Sequence, residues 1–233
     1  MKFTLLYDGP LPSAGNKPKP EYVWAIRKQF DPQLRKLWSV NQDLANLKRF
    51  SEVRTDGQYI QTHPHHEAQV SVAQSTAISS VIFQMSAELD PLGVLGANEV
   101  PEMTDLCAPI TCGERSFLPL VRDSLALNCG LQIQFLREGS PGKVYQGGDL
   151  DGRIKLLLDA LAVPQHSNQL CDDAESPNPM YCLLEDDGLA TSLDVDTGEL
   201  LSLAAGPDAV HLVINVNVRV ARPRSYNQIF LSS

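Results

Sequence analysis

Hydrophobic and polar positions alternate most regularly at the two ends of the chain. Near the start, Phe3, Leu5 and Tyr7 share one side of residues 2–7, the period-two pattern of a half-buried strand. The strand runs out near Asp8 into Asp-Gly-Pro-Leu-Pro-Ser-Ala-Gly, a dense turn signal. Near the end, Val210, Leu212, Ile214, Val216, Val218 and Val220 alternate with His211, Val213, Asn215, Asn217, Arg219 and Ala221, which predicts a long strand covered on at least one face. Between these strands the period changes. Residues 21–50 carry Trp24, Ile26, Phe30, Leu34, Leu37, Trp38, Leu44 and Leu47 among their bases, the pattern of two amphipathic helices broken at Asp31-Pro32 or near Val40-Asn41. Ile154, Leu157, Leu158 and Leu161 fall at i, i+3, i+4 and i+7 behind Gly147-Gly148, which predicts a helix over 149–161 with one buried stripe.

The other segments are defined by their breaks. Phe117, Leu120, Val121, Leu125 and Leu127 fit a short helix or a turn and strand, and a strand follows over 131–137. Residues 181–184 and 189–195 flank Glu185-Asp-Asp-Gly188 as two strands around a turn, and Asp196-Thr-Gly198 reads as a further turn, so a meander is expected here. Residues 51–112 have no clear period and read as an insertion or long excursion. Within them His63-Pro-His65-His66-Glu67 packs metal-binding residue types closely, but Pro64 opposes a helix that would aim two imidazoles at one ion, and a surface loop is expected. The sum is an α+β fold.

Charge changes this picture. The 233 residues hold 28 acids against 19 bases, a net charge of −9, which is unfavourable for binding a phosphate backbone. The distribution is uneven: residues 17–60 hold nine bases and five acids, whereas 171–200 hold nine acids and no lysine or arginine. The basic segment is open to two readings, a solvated face on core helices or an arm that contacts DNA through Arg27, Lys28, Arg35 and Lys36. No run approaches the roughly 20 apolar residues of a membrane span, and the N-terminus lacks a signal-peptide plan, so a cytoplasmic protein without a membrane partner is expected. The five cysteines are odd in number and scattered, which fits a reducing compartment, and Cys107 and Cys112 have no second pair to complete a zinc site.

The acids carry the candidate chemistry. Asp151, Lys155 and Asp159 are spaced i, i+4, i+8 and line the polar face opposite the leucine stripe, with Asp149 at the helix entrance. An acid at a helix N-terminus beside a surface ion pair is ordinary. The second acidic group, Glu185-Asp186-Asp187, sits on a turn that could pack beside the helix. Converging carboxylates repel one another, so such a site is stable mainly around a divalent cation, and hard oxygen ligands suit Mg²⁺ or Mn²⁺. Phosphodiester hydrolysis needs this set: a metal to activate water and a fixed cation, here Lys155, for the charge growing on phosphate. No Walker-type phosphate loop and no Gly-x-Ser-x-Gly elbow occurs.

The run Asp149-Leu-Asp151-Gly-Arg-Ile-Lys155-Leu-Leu-Leu-Asp159-Ala-Leu161 resembles the Asp-Leu-Asp-Asn-x-x-Lys-x-x-x-Asp-Ala-Leu core of RusA Holliday junction resolvases. Leu184-Glu-Asp-Asp187 is similar to that family's Leu-Asp-Asp turn, and Leu11-Pro-Ser-Ala-Gly-Asn16 resembles its turn after the first strand. About half the chain is covered. The resemblance implies a RusA-like mixed β-sheet packed with helices, a single domain over 1–233 whose core at 116–225 carries the acidic site. Residues 21–115 would be an insertion or helical arm. It implies a Mg²⁺-dependent endonuclease, with Mn²⁺ as a substitute, that cuts branched DNA as a homodimer. By motif position Asp149, Asp151 and Asp187, with Asp186 beside them, look like the metal acids. Lys155 looks like the catalytic lysine, completing a catalytic set of Asp149, Asp151, Lys155 and Asp187. Arg153 is a further candidate DNA contact, and Asp159 matches in a structural role.

Two departures favour an alternative. Gly152 stands where the family has Asn, and Gln146-Gly-Gly148 replaces a basic run. With the acidic balance, they fit a catalytically weak or inactive relative that binds protein or a ligand as a regulatory module.

Overall fold

A computed structural model describes residues 1–12, 20–41, 44, 50–55, 58–64, 102–138, 150–171, 173–201, 209–223, 227, 230 and 231. In chain order the elements are β1 (Lys2–Pro10), α1 (Pro20–Val40), β2 (Phe50–Thr55), β3 (Gln58–Pro64), β4 (Glu102–Asp105), β5 (Ile110–Cys112), β6 (Arg115–Val121), β7 (Leu127–Arg137), α2 (Leu150–Leu161), β8 (Met180–Leu184), β9 (Ala190–Glu199) and β10 (Ala209–Val220). The fold class is α+β, as the sequence predicts. The chain divides into two compact units, Met1–Asp43 with Ala108–Ser233, and Leu44–Cys107. Among the described residues no helix is long and apolar enough to cross a membrane.

The alternating segments at the chain ends meet in the first unit. Its four-stranded sheet has the order β1-β10-β7-β9, antiparallel except for the parallel pair β7 and β9. The register sets Leu5 beside Ile214 and Ile133, and Tyr7 beside Leu212 and Phe135, so the apolar positions of three strands form one buried face. Full burial of each such side chain stabilises by about 1.5–3 kcal/mol, which fixes the register because a one-residue slip would expose the whole set. The free edge of β1 is closed by side chains. Gln33 of α1 accepts from the Leu6 amide at 2.9 Å and donates to its carbonyl at 2.7 Å, and Gln29 donates to the Asp8 carbonyl at 3.1 Å. The two amides imitate a neighbouring strand at Leu6 and Asp8, which shortens the edge open to pairing.

The second sheet of this unit has the order β5-β6-β8, with β6 and β8 parallel. All five residues of β8 are buried, which is the unbroken apolar run of a strand covered on both faces. α1 packs on β8, α2 and β1. Its buried stripe of Val23, Trp24, Phe30, Leu34 and Trp38 continues through Pro32, so α1 is one helix that ends at Val40 and does not break at Asp31-Pro32. Proline inside a helix costs about 3 kcal/mol, and packing on either side outweighs it. Asp31 adds a tether, accepting from the Tyr181 amide at 2.7 Å and from Arg35 at 3.0 Å.

Several expectations are corrected. β8 and β9 do not pair as a meander: β8 joins β6 and β9 joins β7, so the acidic segment crosses from one sheet to the other. Gly198 is not in a turn but inside β9, opposite Leu136, where a Cβ would lie 2.7 Å from the leucine side chain. Close approach, not turn geometry, calls for that glycine. The segment over 117–129 is β6, a 3₁₀ turn at Asp123–Leu125, and β7. Residues 21–115 are not one arm, because α1 belongs to the first unit. The second unit holds a sheet of order β3-β2-β4, all antiparallel, where no period was legible. His63 lies in β3, while His65, His66 and Glu67 lie outside the described residues.

Candidate active site

α2 owes its orientation to an apolar stripe that buries Ile154, Leu156, Leu157, Ala160 and Leu161. Asp151 and Lys155 therefore stay exposed on the opposite face, and Asp159, on the same face two turns along, is half-buried. The end of α2 is fixed by backbone. The Ala162 segment bridges Leu184 of β8, and the Val163 amide donates to the Leu184 carbonyl at 3.0 Å. The acidic turn follows directly from Leu184, so it is set beside α2, which touches the 3₁₀ turn at Asp187–Leu189.

Asp159 reports on this arrangement. Burial raises its carboxyl above the ordinary value of 3.8, Lys155 opposes the rise, the charge of Asp187 adds to it, and Arg27 opposes it. The charges of Asp187 and Lys155 thus act on Asp159 in opposite senses. Asp149 lies outside the described residues. Among the described residues no group of three acids, histidines or cysteines is placed to hold an ion, so Asp151, Asp186 and Asp187 alone do not make the expected triad.

The neighbouring acids have local duties. Asp186 caps the 3₁₀ turn, its Oδ1 accepting from the Gly188 amide at 2.9 Å, which takes one oxygen of this candidate ligand. Glu185 accepts from the Asp123 amide at 2.8 Å through Oε2. Both bonds pin the turn that presents Asp187. Asp159, to which the resemblance gives a structural role, is half-buried on the face of α2 that carries Asp151 and Lys155. Its signal was present in the i+8 spacing and in the Asp-Ala-Leu match, but a spacing does not reveal that a turn from another sheet would face it.

The basic candidates separate sharply. Arg27 is 1% exposed, and its Nη2 donates to the carbonyls of Asp159 at 2.8 Å and Ala162 at 3.0 Å. It supplies donors to the C-terminal carbonyls of α2, and its guanidinium lies over the rings of Trp24 at 5.6 Å and Phe117 at 5.8 Å. Arg153 is buried and donates to the Leu11 carbonyl. Neither arginine can reach a nucleic acid, which corrects that expectation for both. Arg35 pairs with Asp31, donates to the Pro179 carbonyl at 3.0 Å and lies over the Tyr181 ring at 4.4 Å. Lys28 pairs with Asp173 at 2.8 Å, and Lys36 is exposed. The Lys28 bond, with a hydrogen bond from Ser176, holds the Asp173 carboxyl down at about 2.

No family model, curated protein or solved structure matches this chain.

Proposed function

We propose that the chain is a RusA-like endonuclease that hydrolyses phosphodiester bonds of branched DNA with Mg²⁺, or Mn²⁺ in its place, as a cytoplasmic homodimer. The observation that carries the reading is the contact of α2, whose polar face bears Lys155 and Asp159, with the turn from β8 that begins at Asp187. Asp149, Asp151 and Asp187 would hold the ion, and Asp159 lies two turns along the same face of α2. When bound, the ion supplies Lewis acidity and a water of lowered pKa. Lys155, exposed beside these acids, stabilises the charge that grows on the scissile phosphate. Asp186 and Glu185 hold the turn rigid so that Asp187 keeps its aim. Lys36, Lys28 and Arg35 on α1 remain the candidate backbone contacts, each accessible at least in part.

The test is cleavage of a labelled four-way junction beside duplex and single-stranded controls, in Mg²⁺ or EDTA, with Asp151→Asn as the blank. Junction cutting that needs the metal and disappears in the variant is the expected result. A specific observation favours a second reading, a catalytically weak relative that binds protein or ligand: burial removes Arg27 and Arg153 from any DNA surface of a chain with net charge −9. That reading predicts no junction binding even at low salt, where phosphate contacts are strongest.

A further inference from the structure

A groove of about 560 Å³ opens beside the acidic turn, between the β5 hairpin, the segment after α2 and Glu185. We infer that it holds an unpaired nucleobase of the substrate strand, next to the phosphate that is cut; the inference rests on the nuclease reading. Its volume is within the range of small-molecule sites. One wall is apolar, from Ile110, Val163 and Pro164, and the rim is polar, from Thr111, Ser167 and His166. The lining contains no lysine or arginine and one carboxylate, Glu185. That composition is poor for a phosphate and suits a neutral planar group whose faces meet apolar side chains and whose edge meets hydroxyls and a carboxylate.

The groove is built in advance and is tied to the catalytic elements. Gln169 Oε1 accepts from the amides of Gln165 at 2.8 Å and His166 at 3.2 Å, which shapes the rim. The Glu185 amide donates to the Val121 carbonyl at 2.9 Å, so the far wall is anchored in the second sheet. Gly113, with φ of +57°, turns the β5 hairpin against Leu170, whose side chain leaves 3.0 Å for a Cβ. Glu185 lies two residues before Asp187, and Val163 follows the end of α2, so the groove adjoins the turn that carries Asp187 and the C-terminal end of α2 near Asp159. A branch point supplies the occupant, because bases there are already unpaired and cost least to unstack.

The inference is tested with the full chain and a four-way junction carrying 2-aminopurine at the branch. Thr111→Trp fills the groove from an exposed position on the β5 hairpin, and Ser167→Trp does so from the segment after α2, each checked for an unchanged thermal midpoint. Binding of wild-type protein should raise the 2-aminopurine fluorescence, and both variants should lose that rise. Their kcat/KM on the junction should fall by about tenfold or more, carried mainly by KM, as expected for one lost base contact. Wild-type cutting with folded variants that keep its KM and its fluorescence change would overturn the groove assignment alone. Absence of metal-dependent cutting by the wild-type protein would overturn the nuclease reading and the occupant with it.

Discussion

α1 and α2 are both amphipathic and pack on each other, and they divide their charge differently. α2 keeps Asp151 and Lys155 in solvent and half-buries Asp159. α1 takes Arg27 and Asp31 into the core, at 1% and 3% exposure, where Arg27 binds the carbonyl ends of α2 and Asp31 binds the backbone of β8. The inward charges, Arg27 and Asp31 of α1 and Arg153 of α2, therefore assemble the scaffold, while Asp151 and Lys155 of α2 stay in solvent. A run of bases in a sequence is a DNA surface only if its helical register turns those bases outward.

The largest effect that would sharpen this contrast is on activity. Asp187→Asn should lower junction cleavage by about 10²–10³-fold or more, because it removes a ligand of the ion that would stabilise developing charge and activate water, with the thermal midpoint unchanged. Wild-type turnover in this variant would break the assignment of α2 and the turn to catalysis.

The next effect is on stability. Arg27→Ala should destabilise the protein by about 3 kcal/mol in urea unfolding, since it leaves buried carbonyls without donors and a cavity beside Trp24 and Phe117. Lys36→Ala, on the exposed face of the same helix, should change stability by no more than about 0.5 kcal/mol.

A third effect is a pH dependence with a definite sign. Because the folded-state carboxyl of Asp159 is raised above 3.8, its favourable contribution is complete below that value and is lost as pH rises through the higher folded value. Asp159→Asn escapes the loss, so its thermal midpoint should exceed wild type at pH 7 and the gain should narrow towards pH 3. Added Mg²⁺ should shrink the gain at pH 7, because the ion offsets the same repulsion. The smallest effect has the opposite sign: Asp173, held at about 2 by Lys28 and Ser176, contributes stability above its ordinary 3.8 that is lost as pH falls towards 2. Lys28→Met should flatten that acid limb of the midpoint profile.

The same periodicity explains how much was legible. The alternating strands β1 and β10 and the stripe of α2 follow directly from apolar spacing, and so does the outward face with Asp151 and Lys155. Arg27 stands four residues after Val23 and seven before Leu34, and Arg153 stands four before Leu157, so both lie on buried stripes. Register could have placed them inside; grouping by charge obscured it. The crossing of the acidic segment between two sheets could not be read, because two strands around a short turn have the local pattern of a hairpin whichever partner each finds. The burial of all of β8 is the one clue, since a meander strand with one wet face would alternate. The approach of the Asp187 turn to α2 depends on that crossing and was hidden for the same reason.

The central claim is that the outer face of α2 and the acidic turn form one divalent-cation site, and titration calorimetry of Mn²⁺ into the full chain at pH 7 tests it most directly. The account predicts one saturable site per chain that is lost in Asp187→Asn, weakened in Asp159→Asn and intact in Lys36→Ala. Saturable binding that survives Asp187→Asn unchanged, or no binding to the wild-type protein, would contradict it.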